Sequence, residues 1–153
     1  MLRLSKLTDY ATVLLARLAV LRGLHTAAEL AAATGLAEPT VRKLMKNLTQ
    51  AGLVASMRGV NGGYQLARAP DSISAVEIID AIEGPVAITE CSGDHSACYI
   101  QSHCAISSKW QRISQSIHNA LSDVSLAQLA DPRPLPLGLH FDLSTEIDNR
   151  TPA

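Results

Sequence analysis

The chain has 153 residues, of which 47% are hydrophobic and 18% charged, with a formal net charge of −1. That suits one domain, or a small domain with an appendage, and is too apolar for a disordered chain. Aromatic residues at 3% argue against a stacking platform for single-stranded nucleic acid. No apolar run approaches the length of a membrane span. Asp9 and Arg17 bracket the apolar N-terminal stretch, which a secretory signal would keep unbroken. Three cysteines, an odd number, exclude a closed disulfide framework and point to a reducing, cytoplasmic setting. The charge is also polarised. Residues 1–70 hold nine Lys/Arg against three acids (+6), and residues 71–153 hold four against eleven (−7). A basic half of this kind suits a polyanionic partner.

In chain order, Leu7, Tyr10, Ala11, Leu14, Leu15 and Leu18 recur at helical spacing and predict a first helix ending before Gly23. Thr26-Ala-Ala-Glu29 is a capping box for a short second helix that stops near Gly35. Pro39 suits the first turn of a third helix, whose inner face is Val41, Leu44, Met45 and Leu48. Leu53–Met57 and Tyr64–Leu66 read as two strands around the turn Arg58-Gly-Val-Asn-Gly-Gly63, where Asn-Gly-Gly permits positive φ. Three helices and then a hairpin within about 70 residues is the order of a winged helix-turn-helix.

On that fold the outward residues of the third helix are Thr40, Arg42, Lys43, Lys46 and Asn47. A helix fits the major groove of B-DNA, and Arg or Lys there reads guanine or grips phosphate. Arg58 opens the wing, and Gly62 and Gly63 allow close approach to a DNA backbone. Arg3 and Lys6 precede the first helix and suit phosphate contacts.

Ser74-Ala-Val-Glu77 is a second capping box, opening a linking helix (71–88) that ends at Gly84-Pro85. An irregular loop over 89–105 carries Cys91, Cys98 and Cys104, together with His95 and His103. Ile106, Trp110, Ile113, Ile117 and Leu121 then form a narrow near-heptad stripe, read as a dimerisation helix within 106–130. A short helical turn over Leu126–Leu129 follows. From Asp131, three prolines in five residues open a poorly ordered tail over 131–153. The fold class is therefore mainly α. Without a CxxC pair, a zinc ribbon or thioredoxin-like site is not expected. On spacing alone, an iron–sulfur cluster, zinc and unliganded thiols carry comparable weight. The absence of CxxC and of any nucleotide- or substrate-binding loop also argues against an enzyme.

The opening Met1-Leu-Arg-Leu-Ser-Lys-Leu-Thr-Asp-Tyr-Ala11, the run Arg58-Gly-Val-Asn-Gly-Gly-Tyr64, Ile82-Glu-Gly84-Pro85 and the three following cysteines resemble a known family. It is that of winged-helix iron–sulfur-responsive transcription regulators of the IscR, NsrR and RirA type. The likeness covers about residues 1–130. The opening block, with Glu38-Pro39-Thr40-Val41, is similar to the subgroup that regulates SUF cluster-assembly genes. The resemblance implies a homodimer on a palindromic double-stranded operator, with DNA affinity set by a cluster on Cys91, Cys98 and Cys104. A 2Fe-2S cluster is favoured, 4Fe-4S is the second choice, and zinc is the alternative metal. Some relatives place a histidine three residues after the third cysteine, where this chain has Ser107. In others an N-terminal aspartate reaches across from the partner subunit, and Asp9 matches that position; His103 and His95 are its rivals.

Overall fold

A computed structural model of the chain describes residues 4–85 and 106–135. Helix α1 (Lys6–Leu21) begins where the Ser5 hydroxyl accepts the Thr8 N–H, and it buries Thr8, Ala11, Leu14, Leu15 and Leu18 along one face. The expected capping box between Thr26 and Glu29 opens α2 (Ala27–Thr34), which stops at Gly35 in the left-handed conformation. Helix α3 (Glu38–Gln50) has no side-chain cap; Pro39 occupies its first turn, and Val41, Leu44, Met45 and Leu48 are buried. Strands β1 (Val54–Met57) and β2 (Gly63–Leu66) form an antiparallel hairpin with Val54 opposite Leu66 and Met57 opposite Gly63. His25 exchanges two backbone hydrogen bonds with Tyr64, at 3.0 and 2.8 Å, and so fastens the hairpin to the link between α1 and α2. This is the winged helix-turn-helix that the helix order predicts.

The wing turn differs from its sequence reading in one respect. Positive φ was expected from Asn61-Gly62-Gly63, but within the hairpin it falls on Gly59, at 116°. Gly62 and Gly63 supply close approach instead. A Cβ on Gly62 would lie 2.4 Å from the Met57 carbonyl oxygen, and one on Gly63 would lie 2.7 Å from that of His25. Both spacings are shorter than a side chain can occupy.

A 3-10 turn (Pro70–Ser72) leads to α4 (Ala75–Glu83), opened by the Ser74–Glu77 capping box. Helix α5 (Ser107–Ser122) lies against α4, and α6 (Leu126–Ala130) starts at a third capping box, Ser125–Gln128. The strand-like entries to α4 and α6 pair with each other: Ala75 N–H donates to the Val124 carbonyl at 2.8 Å, and Leu126 N–H to that of Ile73 at 2.7 Å. Leu126 is fully buried in the same core as Leu14, Leu15, Leu44, Leu48 and Ile78. Burying a leucine contributes about 1.5–3 kcal/mol, so this short helix is tied to the winged-helix head by its core contact. At the other end of α4, Glu83 accepts the Ser5 N–H at 2.8 Å and the Thr8 hydroxyl, clasping the start of α1. The tail is described only to Leu135 and includes an Arg133–Asp131 ion pair at 2.5 Å.

Candidate nucleic-acid interface

The inner face of α3 is held by the core, so its opposite face is fixed toward solvent. Arg42, Lys43 and Lys46 are exposed there, and Thr40 and Asn47 are half-buried. Helix α3 and the wing enclose a cleft of about 460 Å³. Arg42 and Lys46 from α3 and Arg58, Gly62 and Gly63 from the wing all line it. Five of the expected DNA-binding residues therefore share one concave surface. Three of them are cations, and opposite each other they suit a polyanion passing between helix and wing. Lys43 and Thr40 lie on α3 but do not line the cleft, and Lys6 stands at the start of α1. Arg3 lies outside the described residues.

The cleft also takes in Thr26 and Ala27 from the start of α2, and Thr49 and Gln50 from the end of α3. These were not singled out in the sequence, although the Thr26 capping box marks a helix N-terminus, a common phosphate neighbour. The Glu29 carboxylate already serves that terminus. It accepts the Thr26 N–H at 2.7 Å, and this bond together with the Thr26 hydroxyl bond lowers its pKa. On α3, Glu38 Oε1 takes hydrogen bonds from Arg42 Nε at 3.0 Å and Nη2 at 2.5 Å.

A second cleft, of about 470 Å³, is mostly apolar and lies between the start of α1, α4 and the end of α5. Asp9 is exposed and lines it beside Thr8, Ile78, Ile79, Leu121 and Val124. Cys91, Cys98, Cys104, His95 and His103 lie outside the described residues. Among the described residues no group of three or more His, Cys, Asp or Glu could hold a metal ion. The expected dimer stripe on α5 divides into two parts. Ile106, Trp110 and Ile113 are 57%, 39% and 44% exposed, while Ile117 and Leu121 are half-buried. No helix among the described residues is long and apolar enough to cross a membrane.

Comparison with known proteins agrees with this geometry. The chain is 33% identical over 102 residues to the helix-turn-helix transcriptional regulator IscR of Aliivibrio salmonicida, a match covering 67% of this chain and 60% of that protein. It is 30% identical over 120 residues to IscR of Erwinia tasmaniensis, covering 78% and 72%. It thus spans about three fifths of the length of the first of these relatives. Among solved structures it resembles CymR, the global cysteine regulator of B. subtilis, with a TM-score of 0.64, 30% identity and coverage of 85% of this chain and 97% of that one. It also resembles the T. potens IscR, with a TM-score of 0.60, 31% identity and coverage of 82% and 84%. These relatives are transcription regulators and not enzymes. Residues 4–132 match the family model described as iron-dependent transcriptional regulator, and the chain belongs to that family, Rrf2.

Proposed function

We propose that the protein is a homodimeric regulator of SUF-type iron–sulfur cluster assembly genes, binding a palindromic operator with an affinity set by an iron–sulfur cluster. The observation that carries the DNA reading is the cleft where Arg42 and Lys46 of α3 face Arg58 of the wing. In each subunit α3 enters the major groove of one half-site and the wing lies on the flanking backbone. Arg42, Lys43, Lys46, Thr40, Arg58, Lys6 and Arg3 supply groove and phosphate contacts, and Gly62 and Gly63 keep the wing thin. The exposed Ile106, Trp110 and Ile113 join two α5 helices, with Ile117 and Leu121 continuing the seam.

The donor set suits a cluster. Cys91, Cys98 and Cys104 offer three soft thiolates within one segment, and the exposed Asp9 carboxylate offers a harder fourth ligand from the partner subunit. His103 is the rival for that corner. A cluster, 2Fe-2S before 4Fe-4S, supplies a group that iron supply, oxygen or nitric oxide can remove. The three cysteines lie in the segment joining α4 to α5, so their ligation acts on the connection between head and dimer helix. Such a ligand shifts DNA affinity only as far as it favours one arrangement of the two heads over the other.

The test is anaerobic purification with visible spectra, iron and sulfide counts, and operator binding for the wild type and for Cys91→Ala, Cys98→Ala and Cys104→Ala. The reading predicts a coloured wild type, loss of colour in each variant and a changed operator affinity. Zinc in a colourless wild type would replace it with a zinc-stabilised regulator. Colour and affinity unchanged by all three substitutions would overturn the cluster assignment.

A further inference from the structure

The single acid on α3 holds one of its cations, and the way it does so leaves a defined hydrogen-bonding face. Glu38 Oε1 occupies the Nε–Nη2 edge of the Arg42 guanidinium, at 3.0 and 2.5 Å. That leaves the Nη1–Nη2 end of the guanidinium free to give two parallel hydrogen bonds. Among the described residues, Glu38 Oε2 takes no hydrogen bond. Both side chains reach solvent, at 65% exposure for Arg42 and 40% for Glu38. The pair therefore has two donors on Arg42 and one acceptor, Glu38 Oε2, left to offer a ligand. The major-groove edge of a G·C base pair reads acceptor (guanine N7), acceptor (guanine O6), donor (cytosine N4–H).

We propose that Glu38 and Arg42 form one base-reading unit, with Arg42 donating to guanine N7 and O6 and Glu38 Oε2 accepting from the N4 amino group of the paired cytosine. This rests on the reading of α3 as the groove-facing helix. A carboxylate paired with a cation of the groove-facing helix repels phosphate, so Glu38 lowers affinity for every duplex and repays that only at a base pair it recognises. Its role is specificity and the positioning of Arg42, not overall grip. As a mere surface ion pair, its removal would tighten binding to all duplexes alike.

The experiment is in vitro selection of duplexes from a randomised library by the full-length wild type, Glu38→Ala, Glu38→Gln and Arg42→Ala, with helical content checked by circular dichroism. Affinities of each protein for the wild-type consensus, for its single-base-pair variants and for an unrelated duplex are then measured at one salt concentration. The expected wild-type consensus holds one G·C pair per half-site whose replacement weakens binding about tenfold. Arg42→Ala and Glu38→Ala both lose that preference while keeping the others, and Glu38→Ala binds the unrelated duplex more tightly. Glu38→Gln keeps an acceptor and retains part of the preference. If Arg42→Ala loses the preference and Glu38→Ala keeps it in full, the paired unit is wrong and the groove-facing reading of α3 stands. If Arg42→Ala selects the wild-type consensus unchanged, Arg42 reads no base pair and the unit falls; if the wild type itself enriches no consensus, the groove-facing reading of α3 falls as well.

Discussion

Gly63 sits against the backbone of His25, and the two-bond bridge from His25 to Tyr64 needs that distance. Gly63→Ala is therefore expected to cost about 1–3 kcal/mol, as overpacking does, and to lower the thermal midpoint. Thermal unfolding by circular dichroism checks this; an unchanged midpoint would show that the wing does not depend on the bridge. The sequence identified this glycine as important but assigned it to turn conformation and to close approach to DNA, because Asn-Gly-Gly carries a strong local signal. Its actual neighbour is 38 residues away in the chain, which no local pattern reports. The cations were easier to read, since helical spacing alone separates Arg42 and Lys46 from the buried Val41, Leu44 and Leu48. Lys46→Ala should weaken binding to specific and unrelated duplexes about equally and reduce the salt slope by about 1, as loss of one phosphate contact does. Fluorescence anisotropy across a salt series measures both quantities. An undiminished slope would remove Lys46 from the interface.

At the scale of elements, the clasp between α1 and α4 makes a pH-dependent contribution. Bonds from the Thr8 hydroxyl and the Ser5 N–H to Glu83 lower the pKa of its carboxyl. A carboxyl depressed in the folded state adds stability that is present above its unfolded pKa of about 4.3 and is lost as pH falls through the folded value. Glu83→Gln should therefore cost about 1 kcal/mol at pH 7, a charge-assisted bond discounted for exposure, and less as the pH drops below about 4. Urea unfolding of wild type and variant across that range tests it; equal differences at every pH would mean that the charge plays no part. Two capping boxes were legible because Thr26-x-x-Glu29 and Ser74-x-x-Glu77 are local signals. The short stretch at Leu126 was visible as a helical turn, but its place in the core was not. Five residues show no clear face, and the pairing of Ile73 with Leu126 spans about a third of the chain.

For the whole molecule, the proposed mechanism joins the exposed apolar end of α5, as a dimer seam, to the charged cleft of α3, so that two heads act together. Ile113 is 44% exposed on α5, the helix that lies against α4. Ile113→Asp should turn a dimer into a monomer in analytical ultracentrifugation, with helical content kept. Operator affinity should then fall by at least about tenfold, since each head binds alone. A dimer that survives the substitution would place the seam elsewhere. The near-heptad spacing made the helix legible, and its role as a dimer seam is what Ile113→Asp tests. The proposed cluster site is read from chemistry alone, three thiols at six- and five-residue intervals, and these lie outside the described residues. The most direct measurement is operator affinity of the anaerobic wild type before and after the metal centre is stripped by chelation, with iron and sulfide counted in the same samples. The expected result is an iron- and sulfide-bearing protein whose operator affinity changes on stripping while its affinity for unrelated DNA does not. Equal operator affinity in the loaded and stripped samples would contradict it.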